Sequence, residues 1–121
     1  MNNFRSGENL IITAGWLIQK NIYNVELFKL QEIAWVYAKI TQHRTNGIPT
    51  GKTYAAVVMD KGGKTLEVSA KEEEVQTILV EIIERVPWVI AGYSEELKSM
   101  WRKDQTLFLS ILQQRRVQMG M

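Results

Sequence analysis

Cysteine is absent from the 121 residues, so disulfides, iron–sulfur clusters and thiolate zinc sites are excluded. Histidine occurs once, at His43, too few for a histidine-based metal site. No cofactor and no metal is therefore expected. Proline occurs twice, at Pro49 and Pro87, and each sits where a regular element would have to stop. No apolar run approaches the roughly 20 residues that cross a bilayer. The first residues, Met1 to Gly7, carry no apolar signal region, and a cytoplasmic protein is the expectation. Charge of one sign is scarce too. A net charge of +2 does not by itself argue for nucleic acid, and none is expected as a partner.

An ordinary composition remains, 45% apolar and 23% charged, which suits one soluble domain. Residues 1–8 are polar and read as a flexible N-terminus, leaving 9–121 as a single domain. The chain is organised around Thr41 to Tyr54, which contains His43, Pro49, Gly47 and Gly51. Gly51-Lys52-Thr53 matches the end of a phosphate-binding loop. That motif requires a glycine five positions before Gly51, where Asn46 stands. It also requires a helix after Lys52, whereas Tyr54 to Met59 is a β-type run. A nucleotide or small molecule held by residues 47–53 is thus a minor alternative. The simpler reading is a long hairpin loop, with Asn46-Gly47 and Thr50-Gly51 supplying positive φ.

Strands account for the first half. Leu10 to Thr13 and Trp16 to Ile18 read as a tight hairpin, or as one strand with a bulge at Gly15. Asn21 and Asn24 favour a turn at Ile22-Tyr23, and a further strand follows from Val25. Ile33 to Ile40 alternates large and small apolar residues, as in a strand packed on both faces. Tyr54 to Met59 is its antiparallel partner. Asp60 to Gly63 is a hairpin turn before Thr65 to Ser69. Helices follow. Ser69 and Glu72 have the spacing of a capping box, and Glu72, Glu73 and Glu74 suit the positive pole of a first turn. Val75, Ile78, Leu79, Ile82, Ile83 and Val86 form one apolar stripe that Pro87 ends. A second helix begins at Ser94 as N-cap and runs past an interruption at Asp104 to Arg115 and Arg116. The fold class is α+β: an antiparallel β-sheet or partial barrel of five to six strands followed by two C-terminal α-helices.

Thr13-x-x-Trp16-Leu17-Ile18, Leu30-x-x-Ile33-x-Trp35-x-Tyr37 and Val86-Pro87-Trp88, followed by Gly92-Tyr93-Ser94, together resemble a group of small, uncharacterised bacterial proteins. Those proteins carry a pleckstrin-homology-like (PH-like) domain. The resemblance spans about Leu10 to Arg116 and implies seven strands in two sheets with a closing helix. The five or six strands and two helices counted here make a PH-like variant. The resemblance also implies binding of lipids, peptides or protein partners, and it carries over no catalytic residue.

Trp16, Trp35, Trp88 and Trp101 read as core residues, because aromatics dominate core energetics. No base, nucleophile and orienter are linked by spacing, so the chain does not read as an enzyme. The expected function is a non-enzymatic binding module that contacts a protein partner or an anionic membrane surface through the basic hairpin 39–54. Membrane association would then be peripheral. Candidate contact residues are Lys39, His43, Arg44, Asn46, Lys52 and Tyr54. The alternative is a homo-oligomer formed through the C-terminal helix and the connector 87–93, with Leu109 and Val117 off the main stripe.

Overall fold

The structure is a computed structural model that describes residues 2–7 and 9–120. Met1, Glu8 and Met121, which fall in the expected N-terminal stretch and at the end of the expected domain, lie outside the described residues. The first sheet is a meander of β1 (Phe4–Ser6), β2 (Leu10–Ile12), β3 (Trp16–Lys20) and β4 (Val25–Lys29). A 3-10 turn, Leu30–Glu32, leads into the second sheet. There β5 (Ile33–Thr45), β6 (Ile48–Asp60) and β7 (Thr65–Ala70) form a second meander, and the short β8 (Ile90–Ala91) adds to the far edge of β5. Helices α1 (Glu72–Arg85), α2 (Glu95–Lys103) and α3 (Gln105–Gln118) complete the chain. The α+β class and the antiparallel meanders hold. Among the described residues the count is eight strands and three α-helices, and the sheets are open rather than closed into a barrel.

Several differences have local causes. Phe4–Ser6 was expected to be loose, but it pairs antiparallel with β2, placing the half-buried Phe4 against the core. Ala14-Gly15 makes a true hairpin turn, closed by Thr13 N–H to Trp16 O at 2.8 Å. The Asn21–Asn24 turn forms as expected, with Asn21 Oδ1 accepting from the amides of Tyr23 and Asn24. The capping box does not form. Ser69 is held in the β7 ladder opposite Ala55, and the N-cap is Lys71, which makes no side-chain cap bond. The three glutamates alone favour the start of α1. Asp104 does more than interrupt a helix. Its side chain accepts from Leu107 N at 3.2 Å, so it ends α2 and caps α3.

The core lies between the sheets and under α1. Leu10, Ile12, Leu17 and Phe28 come from the first sheet, Val36, Ala56 and Val58 from the second, and Ile78 and Ile82 from α1. Burial of Ile33, Ala34, Trp35 and Val36 in succession confirms a strand covered on both faces. Trp35 is 2% exposed and Trp88 4%, as expected of core residues, and Trp101 packs partly buried against the same core. Trp16 does not follow. Its strand position opposite Lys29 turns it outward, and it is 40% exposed. The connector 87–93 is buried in its first part and exposed at Ala91, Gly92 and Tyr93. Trp88, Val89 and Ile90 are buried, and the Arg115 guanidinium donates to the carbonyls of Trp88 and Val89.

Candidate functional site

The segment from Thr41 to Thr53 is not a loop. β5 and β6 continue through it as a two-stranded ribbon and turn only at Asn46-Gly47. Both turn residues have positive φ, 53° and 80°, the conformation of a type I′ turn. Gly51 lies inside β6, so no helix follows Lys52 and the phosphate-loop context is missing.

Register places each expected contact residue. Lys39 and His43 share one face of the ribbon; Ile40, Gln42, Lys52 and Tyr54 share the other. A register irregularity between His43 and Arg44 sets Arg44 opposite Pro49. Asn46 occupies the turn. The six residues are therefore spread over two faces and a tip instead of forming one basic cluster. His43 Nε2 lies 3.0 Å from Thr53 Oγ1. Lys39 Nζ is 3.0 Å from Glu67 Oε1, and that hydrogen bond raises its pKa.

Lys39 also belongs to a larger feature. A cleft of about 630 Å³ opens between β5 and α2, and Tyr37, Ala38, Lys39 and Ile40 all line it. Successive strand residues point to opposite faces, so four in a row can line one cleft only if it wraps the strand edge. That edge is open because β8 pairs only with Trp35 and Val36. The chain leaves β8 at Gly92, whose φ of 97° suits only glycine. Gly92 N–H donates to Val36 O at 2.9 Å, and its carbonyl accepts from Trp35 Nε1 at 2.8 Å. This clamp directs Tyr93 and α2 away from the strand.

Aromatic rings make the cleft wall. Trp35 stacks on Tyr93 at 6.3 Å and lies 4.8 Å from Tyr37 and 6.0 Å from Trp101. Phe108 of α3 packs behind, 5.5 Å from Trp35 and 4.8 Å from Trp101. Lys98 and Arg102 stand one turn apart on α2 and complete the lining, which contains no acidic residue. Among the described residues neither forms an ion pair. Tyr93, Lys98, Trp101 and Arg102 were not legible as site residues. The available signal was Trp35-x-Tyr37-x-Lys39, one face of a strand.

Burial raises the pKa of Tyr37 above 10.0, and the neighbouring Tyr93 adds to the effect. The neutral phenol is thus favoured in the folded state. The unfolded chain ionises first as pH rises, so this contribution is intact below about pH 10 and is lost as pH rises through the folded value. Tyr37→Phe is expected to flatten the alkaline decline of the urea midpoint. An unchanged slope would remove Tyr37 as its cause.

The model of a family described as Domain of unknown function (DUF6709) matches residues 3–101. No curated protein and no solved structure matches the chain.

Proposed function

The chain belongs to the DUF6709 family, and we propose that it is a non-enzymatic binding module of PH-like type that takes an acidic, extended protein segment along the edge of β5. The observation that carries this is the cleft: an open strand edge, an aromatic wall, and Lys98 and Arg102, which form no ion pair among the described residues, in one place. A partner strand hydrogen-bonds to such an edge, while side-chain pockets supply specificity. Acidic side chains of the segment would meet Lys98 and Arg102. An apolar one would meet Trp101 and Tyr93. Past Ile40 the same edge runs along the ribbon towards Arg44, which extends the contact to part of the basic hairpin. The order of seven strands in two sheets followed by α1 supports the PH-like reading. Among the described residues no helix is long and apolar enough to cross a membrane.

Binding is tested by fluorescence anisotropy with labelled peptides of alternating acidic and β-branched residues. Lys98→Glu with Arg102→Glu is expected to weaken binding by at least about tenfold, since both reversed charges face the ligand. A peptide N-methylated at alternate residues should not bind, because it cannot complete the ladder. Arg44→Glu with Lys52→Glu reports whether contact reaches the ribbon. Equal binding of acidic and basic peptides, or no loss in the Lys98/Arg102 variant, would overturn the proposal.

A further inference from the structure

Among the described residues, no other element covers the outer face of the first sheet. Residues opposite one another in an antiparallel ladder point to the same face. Arg5, Ile11, Ile18 and Leu27 are opposite in turn across β1 to β4 and form one row over the face. Trp16 opposite Lys29 lies on one side of that row, and Lys20 opposite Val25 on the other. Ile11 and Ile18 are half-exposed and lie outside the core, and Trp16, Val25 and Leu27 are exposed. Among the described residues the charges on this face are all positive: Arg5, Lys20 and Lys29.

The face ends at the Asn21–Asn24 turn. Asn21 holds that turn with three hydrogen bonds, two through its side chain. The held turn presents Ile22 and Tyr23, which are 92% and 93% exposed. Turn tips ordinarily carry small polar residues, and among the described residues none packs on this isoleucine and tyrosine.

We infer that this face and its Ile22–Tyr23 tip dock on an anionic lipid bilayer. The chemistry selects that occupant. A second copy placed across a twofold axis would bring Arg5, Lys20 and Lys29 onto a face that, among the described residues, offers them no anionic partner. An anionic bilayer takes both features at once. Its headgroups neutralise the cations, while Ile22, Tyr23 and Trp16 enter the interfacial layer that aromatic rings prefer. Lysine stems can lie along the apolar row with their ammonium groups at headgroup level, and Lys29 Nζ already sits 5.9 Å from the Trp16 ring. The inference does not depend on the cleft, which lies at the edge of the other sheet.

Co-sedimentation of the full chain with phosphatidylcholine vesicles, with and without phosphatidylserine, tests it at low and moderate salt. The wild type should bind the phosphatidylserine vesicles, less so as salt rises. Lys20→Glu with Lys29→Glu should weaken binding at least about 25-fold, roughly fivefold for each positive charge lost. Ile22→Ser with Tyr23→Ser should weaken it on the order of tenfold at either salt. Its urea midpoint should match the wild type, since both side chains are outside the fold. Lys98→Glu with Arg102→Glu should leave vesicle binding unchanged. Three results would overturn the inference: no binding to phosphatidylserine vesicles, full binding by the tip variant, or loss only in the Lys98/Arg102 variant. A tip variant that changes oligomer size instead of vesicle binding would assign the face to a protein contact.

Discussion

Trp35→Ala is expected to cost about 3–5 kcal/mol, the range for removing a buried large aromatic. Folded domains of this kind hold only about 5–15 kcal/mol in total, so the urea midpoint should fall by a large fraction. Three effects combine. The indole fills the space between β5 and the pair α2 and α3, touching Tyr37, Tyr93, Trp101 and Phe108. Its removal leaves a cavity that two helices cannot fully close. The Gly92 carbonyl also loses its partner, which loosens the exit from β8. Trp35→Phe separates the contributions, because it keeps a ring and removes the N–H donor. It should cost about 0.5–1.5 kcal/mol, the net worth of one hydrogen bond, because the exposed Gly92 carbonyl can turn to water. A Trp35→Ala midpoint close to wild type would show that α2 and α3 do not pack on this face.

Phe108→Ala should be nearly as damaging, at about 3–5 kcal/mol. The residue is fully buried, and its ring meets Trp101 edge-on. It lies beyond residues 3–101 matched by the family model, yet it covers a core residue inside them. Ending the chain at Lys103 removes Phe108, Leu112 and the Arg115 contacts to the connector together. Burying a phenylalanine and a leucine is worth roughly 2–3 kcal/mol each, so the shortened chain should unfold without a sharp transition. A cooperative transition at the wild-type midpoint would mean that α3 is an appendage.

Leu109 illustrates how far pattern reading reaches. It falls off the main stripe of a continuous helix and so reads as a contact surface. In the structure Asp104 restarts the helix, and Leu109 packs half-buried against the core. Leu109→Asp therefore introduces a charge at the core's edge and does not isolate an oligomer contact. Trp16 errs the other way. Composition marks a tryptophan as core, but strand phase turns this one out, because Leu17 takes the inward position. The capping box at Ser69 failed because the β7 ladder held that residue past the expected helix start.

Local chemistry carried much of the rest. The asparagine pair at 21 and 24 makes its turn because its side chain satisfies amides within three residues. The α1 stripe buries Val75, Ile78, Leu79 and Ile82 because 3.6-residue periodicity is set by the helix itself. The pairing of Ile40 with Tyr54 follows from two apolar runs meeting across one connection. Each of these depends on residues close in the chain. The cleft does not. It exists because β8 pairs with two residues of β5 more than fifty positions earlier in the chain and stops, and because Gly92 then turns the chain so that α2 stands beside the exposed edge. No periodicity near Tyr37 records where Lys98 and Arg102 will lie. The uncovered face of the first sheet is similar: alternation assigns Ile11, Ile18 and Leu27 to one side, but only the packing of α1 elsewhere leaves that side open. Elements follow from short-range sterics and hydrogen bonding, whereas open edges and faces follow from which long-range contacts form and which do not.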